Sequence, residues 1–363
     1  MNLDDRDAFR QLDTEDMRSH LDALPDQLDA AWRHGQDMPL PASFQRIERI
    51  VVAAMGAPAL AGDLLAALLA DTCNVPIMVC RDYDLPAFAD GQSTLVIIAS
   101  HTGNTEETLS AWELANTRGT QILVLTTNQT LAQRTEERGA TAWLYEYAGY
   151  SRTALGWIFG LLLVLVNRMG LVRDLSADVA DAIEVLRARV PVLGVEGVVG
   201  KNPAKRLAGQ MIGRIPVIYG SGILAPVARR WKMQLNENAK TWAQWEQLPE
   251  INHNSSAGIT FPRPLMTKVS VVMLSSPHYD HPRVALRQTL TKDMYLQQGI
   301  AVDVIKMRGN SRLAQILSGI QYGDYVSYYV AMGYGVDPTP TPSLAELRER
   351  LLSSQDITHD SHD

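Results

Sequence analysis

Residues 95–126 read LVIIASHTGNTEETLSAWELANTRGTQILVLT and contain the clearest fold signal in the sequence. Its apolar run Leu95–Ser100 predicts a buried strand, and the polar segment His101–Asn104 predicts a turn after it. Apolar residues at three-residue intervals between 109 and 115 predict a helix, and Gln121–Thr126 predicts the next strand. Strands that alternate with helices in this way run parallel in one sheet. The stretch therefore predicts an α/β protein.

The same alternation occurs on both sides of this stretch. Toward the N-terminus, Ile47–Met55 predicts a strand, Gly56-Ala57-Pro58 a turn and Leu60–Leu69 a helix. After a helical zone the pattern restarts with a strand, a tight turn, a long helix and two further strands, at residues 215–219, 220–222, 226–245, 269–275 and 300–305. The recurrence predicts two similar domains, each a parallel sheet flanked by helices.

Periodicity and composition predict the domain boundaries. Apolar residues spaced three to five apart from Phe9 to Trp32 predict an N-terminal helical arm. We expect the following segments: arm 1–39, first domain 40–170, helical connector 171–199, second domain 200–336, and a C-terminal helix with a disordered tail 337–363, the tail beginning at Ser353.

Composition excludes several classes of function. The chain has 363 residues and a net charge of −7, which gives no electrostatic reason to expect a nucleic-acid or anionic-membrane partner. Its longest apolar run, Ala154 to Val166, falls short of the ~20 residues that span a bilayer. Cys73 and Cys80 form neither a disulfide framework nor a zinc module, and no secretory signal begins the chain, so we expect a cytoplasmic protein. No metal ligand set and no nucleotide-binding motif is present, so no cofactor is expected.

The turn after the strand at 95–100 is a candidate phosphate site. Ser100, Thr102 and Thr105 place three hydroxyls where a parallel strand ends and a helix begins, and the helix N-terminus adds unpaired N–H groups. The alternative is a capped helix, because Asn104 and Glu107 have capping-box spacing. Spacing alone leaves both open. Gly56 and Ala57 form a weaker candidate, since a short turn of this kind equally connects any strand to a helix.

Three further residues are candidates for acid–base chemistry. Glu237 lies between two asparagines, which are poor helix formers and suggest that a carboxylate or ligand is being oriented there. His253 has an unperturbed pKa near working pH, about 6.5, and Arg152 offers a guanidinium for a developing oxyanion. The alternatives are a solvent-facing glutamate, a structural loop histidine and a surface arginine, and residue spacing does not exclude them.

Taken together, the motifs resemble one known family. Five blocks and the N-terminal LDALPDQLDAAW resemble the bifunctional phosphoglucose/phosphomannose isomerases, which are sugar isomerase (SIS) domain proteins, and they cover nearly the whole chain. The blocks are MGxxAxAGD from Met55, SHTGNTEETL from Ser100, NENAK from Asn236, LPEINHN from Leu248 and GVDPTPT from Gly335.

The resemblance implies a fold, an assembly and a reaction. It implies two flavodoxin-like SIS domains and a homodimer with active sites near the subunit interface. It also implies cofactor-independent interconversion of glucose 6-phosphate and mannose 6-phosphate with fructose 6-phosphate through a cis-enediol. Glu237 falls on the family's base, His253 on its ring-opening histidine and Arg152 on the arginine near the enediolate. Ser100, Thr102 and Thr105 fall on its phosphate-binding hydroxyls.

The chain departs from the family pattern at two places. The family's first turn usually reads Gly-Met-Gly-Gly-Ser-Ala, whereas Ala57 and Pro58 stand here, and Pro58 offers a ligand neither a hydroxyl nor an N–H. Near the C-terminus, Arg348 occupies the register of a common lysine, so it is a candidate cation that does not donate its proton. These departures keep two alternatives open: a sugar-phosphate-binding SIS protein without catalysis, and an isomerase of a different phosphosugar.

Overall fold

Two parallel β-sheets, one after the other along the chain, carry the architecture. The computed structural model describes residues 2–354. The first sheet has the order β2-β1-β3-β4-β5, and every pair in it is parallel. Its strands are β1 Arg49–Ala54, β2 Ile77–Cys80, β3 Thr94–Ala99, β4 Gln121–Thr126 and β5 Thr141–Leu144. The strand order 2-1-3-4-5 is that of flavodoxin-like sheets, in which ligands gather beyond the carboxyl ends of the strands.

The second sheet repeats this order with four strands, β7-β6-β8-β9, again all parallel. Its strands are β6 Ile215–Ser221, β7 Gln244–Leu248, β8 Val269–Ser275 and β9 Ala301–Lys306. In each sheet the first strand lies between the second and the third, so the two units share one topology. The prediction of two similar α/β units, each a parallel sheet flanked by helices, is confirmed.

Helices precede, flank and connect the two sheets. The arm contains α1 Arg6–Leu12, α2 Met17–Asp22 and α3 Leu24–Asp37. Around the first sheet lie α4 Gly56–Leu69, α5 Glu106–Thr117, α6 Gln129–Glu137, α7 Leu155–Arg168 and α8 Ser176–Leu193. Around the second lie α9 Pro203–Met211, α10 Ala225–Glu237, α11 Arg263–Met266, α12 Pro282–Gln297 and α13 Arg312–Tyr334. The helix α14 Pro342–Ser354 follows them.

One apolar core joins the arm, both sheets and the helices between them. The helix α7, which contains all but the first residue of the longest apolar run of the sequence, is almost entirely enclosed, and it packs against α3 and α4. The helix α13 packs on α8, α9 and α10, so it connects the second sheet to the connector. Across residues 2–354, every helix is too short or too polar to cross a membrane.

Two sequence-based expectations need correction. The helix predicted to run from Pro226 to Trp245 ends at Glu237, Trp242 is 78% exposed, and Trp245 lies in β7. Poor helix formers at the end of α10 and a left-handed backbone at Lys240, φ 52°, stop the helix there. Ser353, predicted to begin a disordered tail, instead lies in α14, and the remainder of that tail lies outside the described residues.

Candidate functional site

The turn after β3 carries the three candidate phosphate-binding hydroxyls. Ser100 is buried, and its hydroxyl accepts the backbone N–H of Gly103 at 3.1 Å. Thr105, the residue before α5, makes no side-chain cap to the helix. In the capped-helix alternative Asn104 is the cap, but its amide oxygen accepts the hydroxyl of Thr102 instead. Neither Thr105 nor Asn104 therefore caps α5 with its side chain, which favours an anion site over the capped-helix alternative.

The turn after β1 faces the same opening. Gly56 has a φ of 56° and begins α4, whose first turn has no side-chain cap in the described part of the chain. A glycine adopts this backbone without strain. Pro58 sits inside that first turn and adds no N–H, while Ala57 is buried in the helix. Of the two candidates in this turn, Gly56 alone lines the opening.

A cavity of about 530 Å³ joins these two turns to the C-terminal helix. Gly56, Thr102 and Thr105 line one side of it, and Arg348 on α14 lines the other. The structure therefore brings the candidate cation Arg348 to the candidate phosphate site, although the two are distant in sequence. Glu106 and Glu107 also line the cavity, so an anion here is bound against local negative charge.

Glu237 is the last residue of α10 and is only partly exposed. Burial raises the pKa of its carboxyl above the ordinary glutamate value, and the nearby positive charges oppose that rise without cancelling it. The opposing groups, in decreasing order of effect, are Arg152, Arg230, Lys232 and Lys240. A carboxylate in this setting is a stronger proton acceptor than a solvent-exposed glutamate, as general-base chemistry requires.

Arg152 lies in a short 3₁₀ helix, Ser151–Thr153, and its side chain is buried. Its Nε donates to Oδ1 of Asn238 at 3.1 Å. Its Nη2 donates to the carbonyl oxygens of Pro338, at 3.3 Å, and Thr339. Burial lowers the pKa of Arg152, whereas the charge of Glu237 raises it. The guanidinium thus brings together the segments around residues 152, 238 and 339.

A buried ion pair also contacts the segment that carries Arg152. Arg230 on α10 donates Nε and Nη2 to the two carboxylate oxygens of Asp324 on α13, both at 3.0 Å. The same Nη2 also donates to the carbonyl oxygen of Arg152 at 2.8 Å. Sequence analysis missed this pair. An aspartate within the apolar sequence of α13 was the only available signal, since a buried carboxylate needs a partner.

His101 links the phosphate turn to the segment that carries Arg152. Its Nε2 lies 2.9 Å from the carbonyl oxygen of Gly149, and its Nδ1 lies 3.1 Å from the hydroxyl of Tyr145. Because a carbonyl only accepts, the proton is on Nε2 and Nδ1 accepts from the tyrosine. Burial lowers the pKa of His101, which keeps the ring neutral. Sequence reasoning missed this role, because the turn was analysed for its hydroxyls alone.

His253 is not brought to Glu237 within one chain. It is exposed and follows the carboxyl end of β7, whereas Glu237 precedes the start of that strand. The five residues of β7 separate the two ends by roughly 13 Å. The structure thus places Arg152 near Glu237, through its contact with Asn238, and separately brings the turns after β1 and β3 to Arg348. It leaves His253 at the carboxyl edge of the second sheet.

Comparison with known proteins gives relatives over nearly the full chain. A bifunctional phosphoglucose/phosphomannose isomerase from Caldicellulosiruptor bescii is 36% identical over 334 residues, which cover 92% of this chain and 98% of the relative. A protein of the same description from Aquifex aeolicus is 34% identical over 83% of this chain and 90% of its own. The family model for the bacterial phospho-glucose isomerase C-terminal SIS domain matches residues 200–351.

Solved structures support the fold. A glucose-6-phosphate isomerase like protein from Thermus thermophilus superposes with a TM-score of 0.64 at 18% identity, covering 94% of this chain and 98% of that one. Tagatose-6-phosphate ketose/aldose isomerase from Escherichia coli gives 0.63 at 17% identity, covering 92% and 95%. At these identities the likeness concerns the fold. On the sequence identity and coverage of the first two relatives, the chain belongs to the bifunctional phosphoglucose/phosphomannose isomerase family.

Proposed function

We propose that this protein is an aldose–ketose isomerase that interconverts glucose 6-phosphate and mannose 6-phosphate with fructose 6-phosphate, without a cofactor. The observation that carries the proposal is the proximity of a partly buried Glu237 to the buried guanidinium of Arg152, which donates to Asn238, the residue after Glu237, at 3.1 Å. Burial also raises the pKa of Glu237. A base and a fixed cation at one place are what proton transfer next to a carbonyl needs. The names of the relatives support the substrate class.

In the proposed reaction, the Glu237 carboxylate removes the proton from C2 of the open-chain aldose. The electron pair of that C–H bond forms the C1–C2 double bond, and the carbonyl electrons move to O1. Arg152 stabilises the negative oxygen of the resulting cis-enediolate. A proton then passes from O2 to O1, and Glu237 returns its proton to C1, so fructose 6-phosphate forms with no net gain or loss of electrons.

The planar enediol explains why one site handles two aldoses. C2 of the intermediate is trigonal, so a proton delivered to one face gives glucose 6-phosphate and to the other face gives mannose 6-phosphate. In this proposal the phosphate is held by Ser100, Thr102, Thr105 and the backbone at Gly56, with Arg348 as the cation across the cavity. Gly56, Thr102, Thr105 and Arg348 line that cavity, whereas Ser100 is buried. Pro58 reduces the donors available, because it replaces a residue that has an N–H.

A substrate panel tests the proposed function. Each of several 6-phosphosugars is incubated with the protein, and ¹H NMR follows the products. Formation of both glucose and mannose 6-phosphate from fructose 6-phosphate is the expected result. Turnover of another phosphosugar alone points to the different isomerase, and thermal stabilisation by sugar phosphates without turnover points to the binding protein.

We also propose that the active protein is a homodimer in which His253 of one subunit opens the sugar ring at the Glu237 site of the other. The exposure of His253, and its distance from Glu237 within the chain, support this arrangement. An apolar stripe on α12, consisting of Leu286, Leu290 and Met294, is about half exposed. On the adjoining face of α12, the hydroxyl of Thr291 accepts a hydrogen bond from the side-chain amide of Asn252 at 2.8 Å. Because Asn252 directly precedes His253, the stripe lies close to His253. We expect this dimer in the cytoplasm.

Complementation tests the shared site. Glu237→Gln and His253→Asn variants are each expected to be inactive, and they are mixed after reversible dissociation. Half of the resulting dimers are heterodimers with one intact site, so about a quarter of normal activity is expected to return. A mixture that stays inactive while forming heterodimers argues for a site within one subunit.

A further inference from the structure

We propose that Lys240 is a positioning residue whose ammonium group fixes the end of α10, and with it Glu237, to the loop that receives Arg152. The inference rests on the proposed isomerase function, which it deepens. Lys240 has no place in the proton transfers described above. Its role is to hold the base and the guanidinium in one geometry.

All three N–H bonds of the Lys240 ammonium are used on backbone carbonyls. Nζ donates to the carbonyl oxygen of Glu237 at 3.0 Å, of Asn238 at 3.1 Å and of Asp337 at 2.7 Å. The first two are carbonyls at the end of α10, which have no partner further along the helix. The third belongs to the segment just before Pro338 and Thr339, whose carbonyls accept from Arg152. One side chain therefore connects the end of α10 with the segment that contains Asp337.

The backbone of Lys240 is arranged for this contact. Its φ is 52°, a left-handed conformation that usually favours glycine. The N–H of Thr241 donates to the carbonyl of Leu235 at 3.1 Å, which closes the turn that follows α10. A glycine would serve this turn with less strain, so the turn itself does not require a lysine. The three carbonyl contacts supply the reason for one.

The charges around Lys240 make the contact sensitive to pH. Burial and the charge of Arg152 lower the pKa of Lys240 to about 8, while Asp337 and Glu237 raise it. Above that pH the neutral amine has one donor fewer, so one of the three carbonyls loses its partner. Glu237 itself faces Arg152, Arg230, Lys232 and Lys240, so loss of any one of these charges raises its pKa further.

Two variants separate positioning from charge. Lys240→Met removes the ammonium and keeps the aliphatic stem, whereas Lys232→Met removes a charge that also acts on Glu237 but has no such carbonyl contacts. Lys240→Gly removes the ammonium while suiting the left-handed backbone, and it replaces the methionine variant if that one does not fold. Hydrogen exchange of the full-length protein, measured by mass spectrometry, is followed for peptides 236–243 and 335–341 beside steady-state kinetics.

The expected result has three parts. Lys240→Met speeds exchange in both peptides and lowers kcat at least tenfold, with a smaller change in KM. Lys232→Met leaves the exchange rates and kcat unchanged. Both variants move the acid limb of the pH profile upward, and the decline of kcat above about pH 8 is lost only in Lys240→Met.

Unchanged exchange in Lys240→Met, or a kcat within twofold of the unaltered protein, overturns the inference. So does an equal loss of kcat in Lys232→Met. If the unaltered protein shows no isomerase activity, the proposed function fails, and the exchange experiment alone decides whether Lys240 holds the two segments together.

Discussion

Replacing Arg152 by methionine and by lysine separates the charge of this residue from its hydrogen-bond geometry. Methionine removes the cation and all three hydrogen bonds, to Asn238, Pro338 and Thr339. Lysine keeps a positive charge but lacks the planar fork that reaches a side chain and two carbonyls at once. The two variants therefore predict different pH profiles.

The structure allows the size of the effect to be worked out. Loss of one preorganised oxyanion donor costs about 2.7–4 kcal/mol of transition-state stabilisation, which is roughly 10²–10³ in kcat. Among the charges that hold down the pKa of Glu237, Arg152 has the largest effect. Its removal therefore raises that pKa further, and the acid limb of activity moves to higher pH, because the base is available only above its pKa. The buried Asn238 oxygen is also left unpaired, at about 1–3 kcal/mol of stability.

The assay is the conversion of fructose 6-phosphate to glucose 6-phosphate, coupled to a glucose 6-phosphate dehydrogenase, from about pH 5 to about pH 9. Arg168→Met is the matched control, because Arg168 also donates to two backbone carbonyls, those of Gly35 and Met38, both at 2.7 Å, but lies outside the site. We expect Arg152→Met to lower kcat and shift the acid limb, Arg152→Lys to lower kcat with little shift, and the control to do neither. An acid limb that stays in place in Arg152→Met refutes the electrostatic reasoning.

Three further predictions concern the phosphate turn, the base and His101. Pro58→Ser restores an N–H and adds a hydroxyl beside Gly56, so we expect a lower KM for the sugar phosphate, by up to about tenfold; an unchanged KM would show that this turn does not touch the phosphate. In the unaltered protein, kcat/KM should fall as the pH drops through a value above the ordinary glutamate pKa, because burial raises the pKa of Glu237; a profile flat to about pH 4.5 would contradict this. His101→Phe removes the hydrogen bonds to Gly149 and Tyr145, so we expect lower thermal stability and a higher KM. Unchanged thermal stability and KM would show that His101 does not couple the turn after β3 to the segment that carries Arg152.

The fold was largely predictable, because alternating strands and helices imply a parallel sheet. What the sequence did not reveal were the short or polar strands. The strand β7 reads QWEQL and alternates too little to be recognised, and β2 and β5 have four residues each. The sequence also misplaced the end of α10. That end depends on the left-handed backbone at Lys240, which the identity of the residue does not predict.

Candidate site residues could be named from the sequence, but the arrangement that the structure gives them could not. The roles proposed for Glu237 and Arg152 came from the resemblance to a known family. Their spacing alone did not exclude a solvent-facing glutamate and a surface arginine. Several contacts that hold them join residues far apart in the sequence, such as Arg152 with Asn238, 86 positions away, and with Thr339, 187 positions away. Local periodicity carries no information about such contacts, so Arg230, Asp324 and His101 emerged only from the three-dimensional arrangement.

Comparing isomerisation by the unaltered protein and by its Glu237→Gln variant is the most direct test of the proposed isomerase and of Glu237 as its base. Formation of fructose 6-phosphate is measured separately from glucose 6-phosphate and from mannose 6-phosphate, and thermal stabilisation by each sugar phosphate reports binding. We expect activity on both sugars that falls by at least about 10²-fold in the variant, with binding retained. Activity that survives in Glu237→Gln would rule out Glu237 as the base, and absence of activity on both sugars from the unaltered protein would rule out the proposed isomerase.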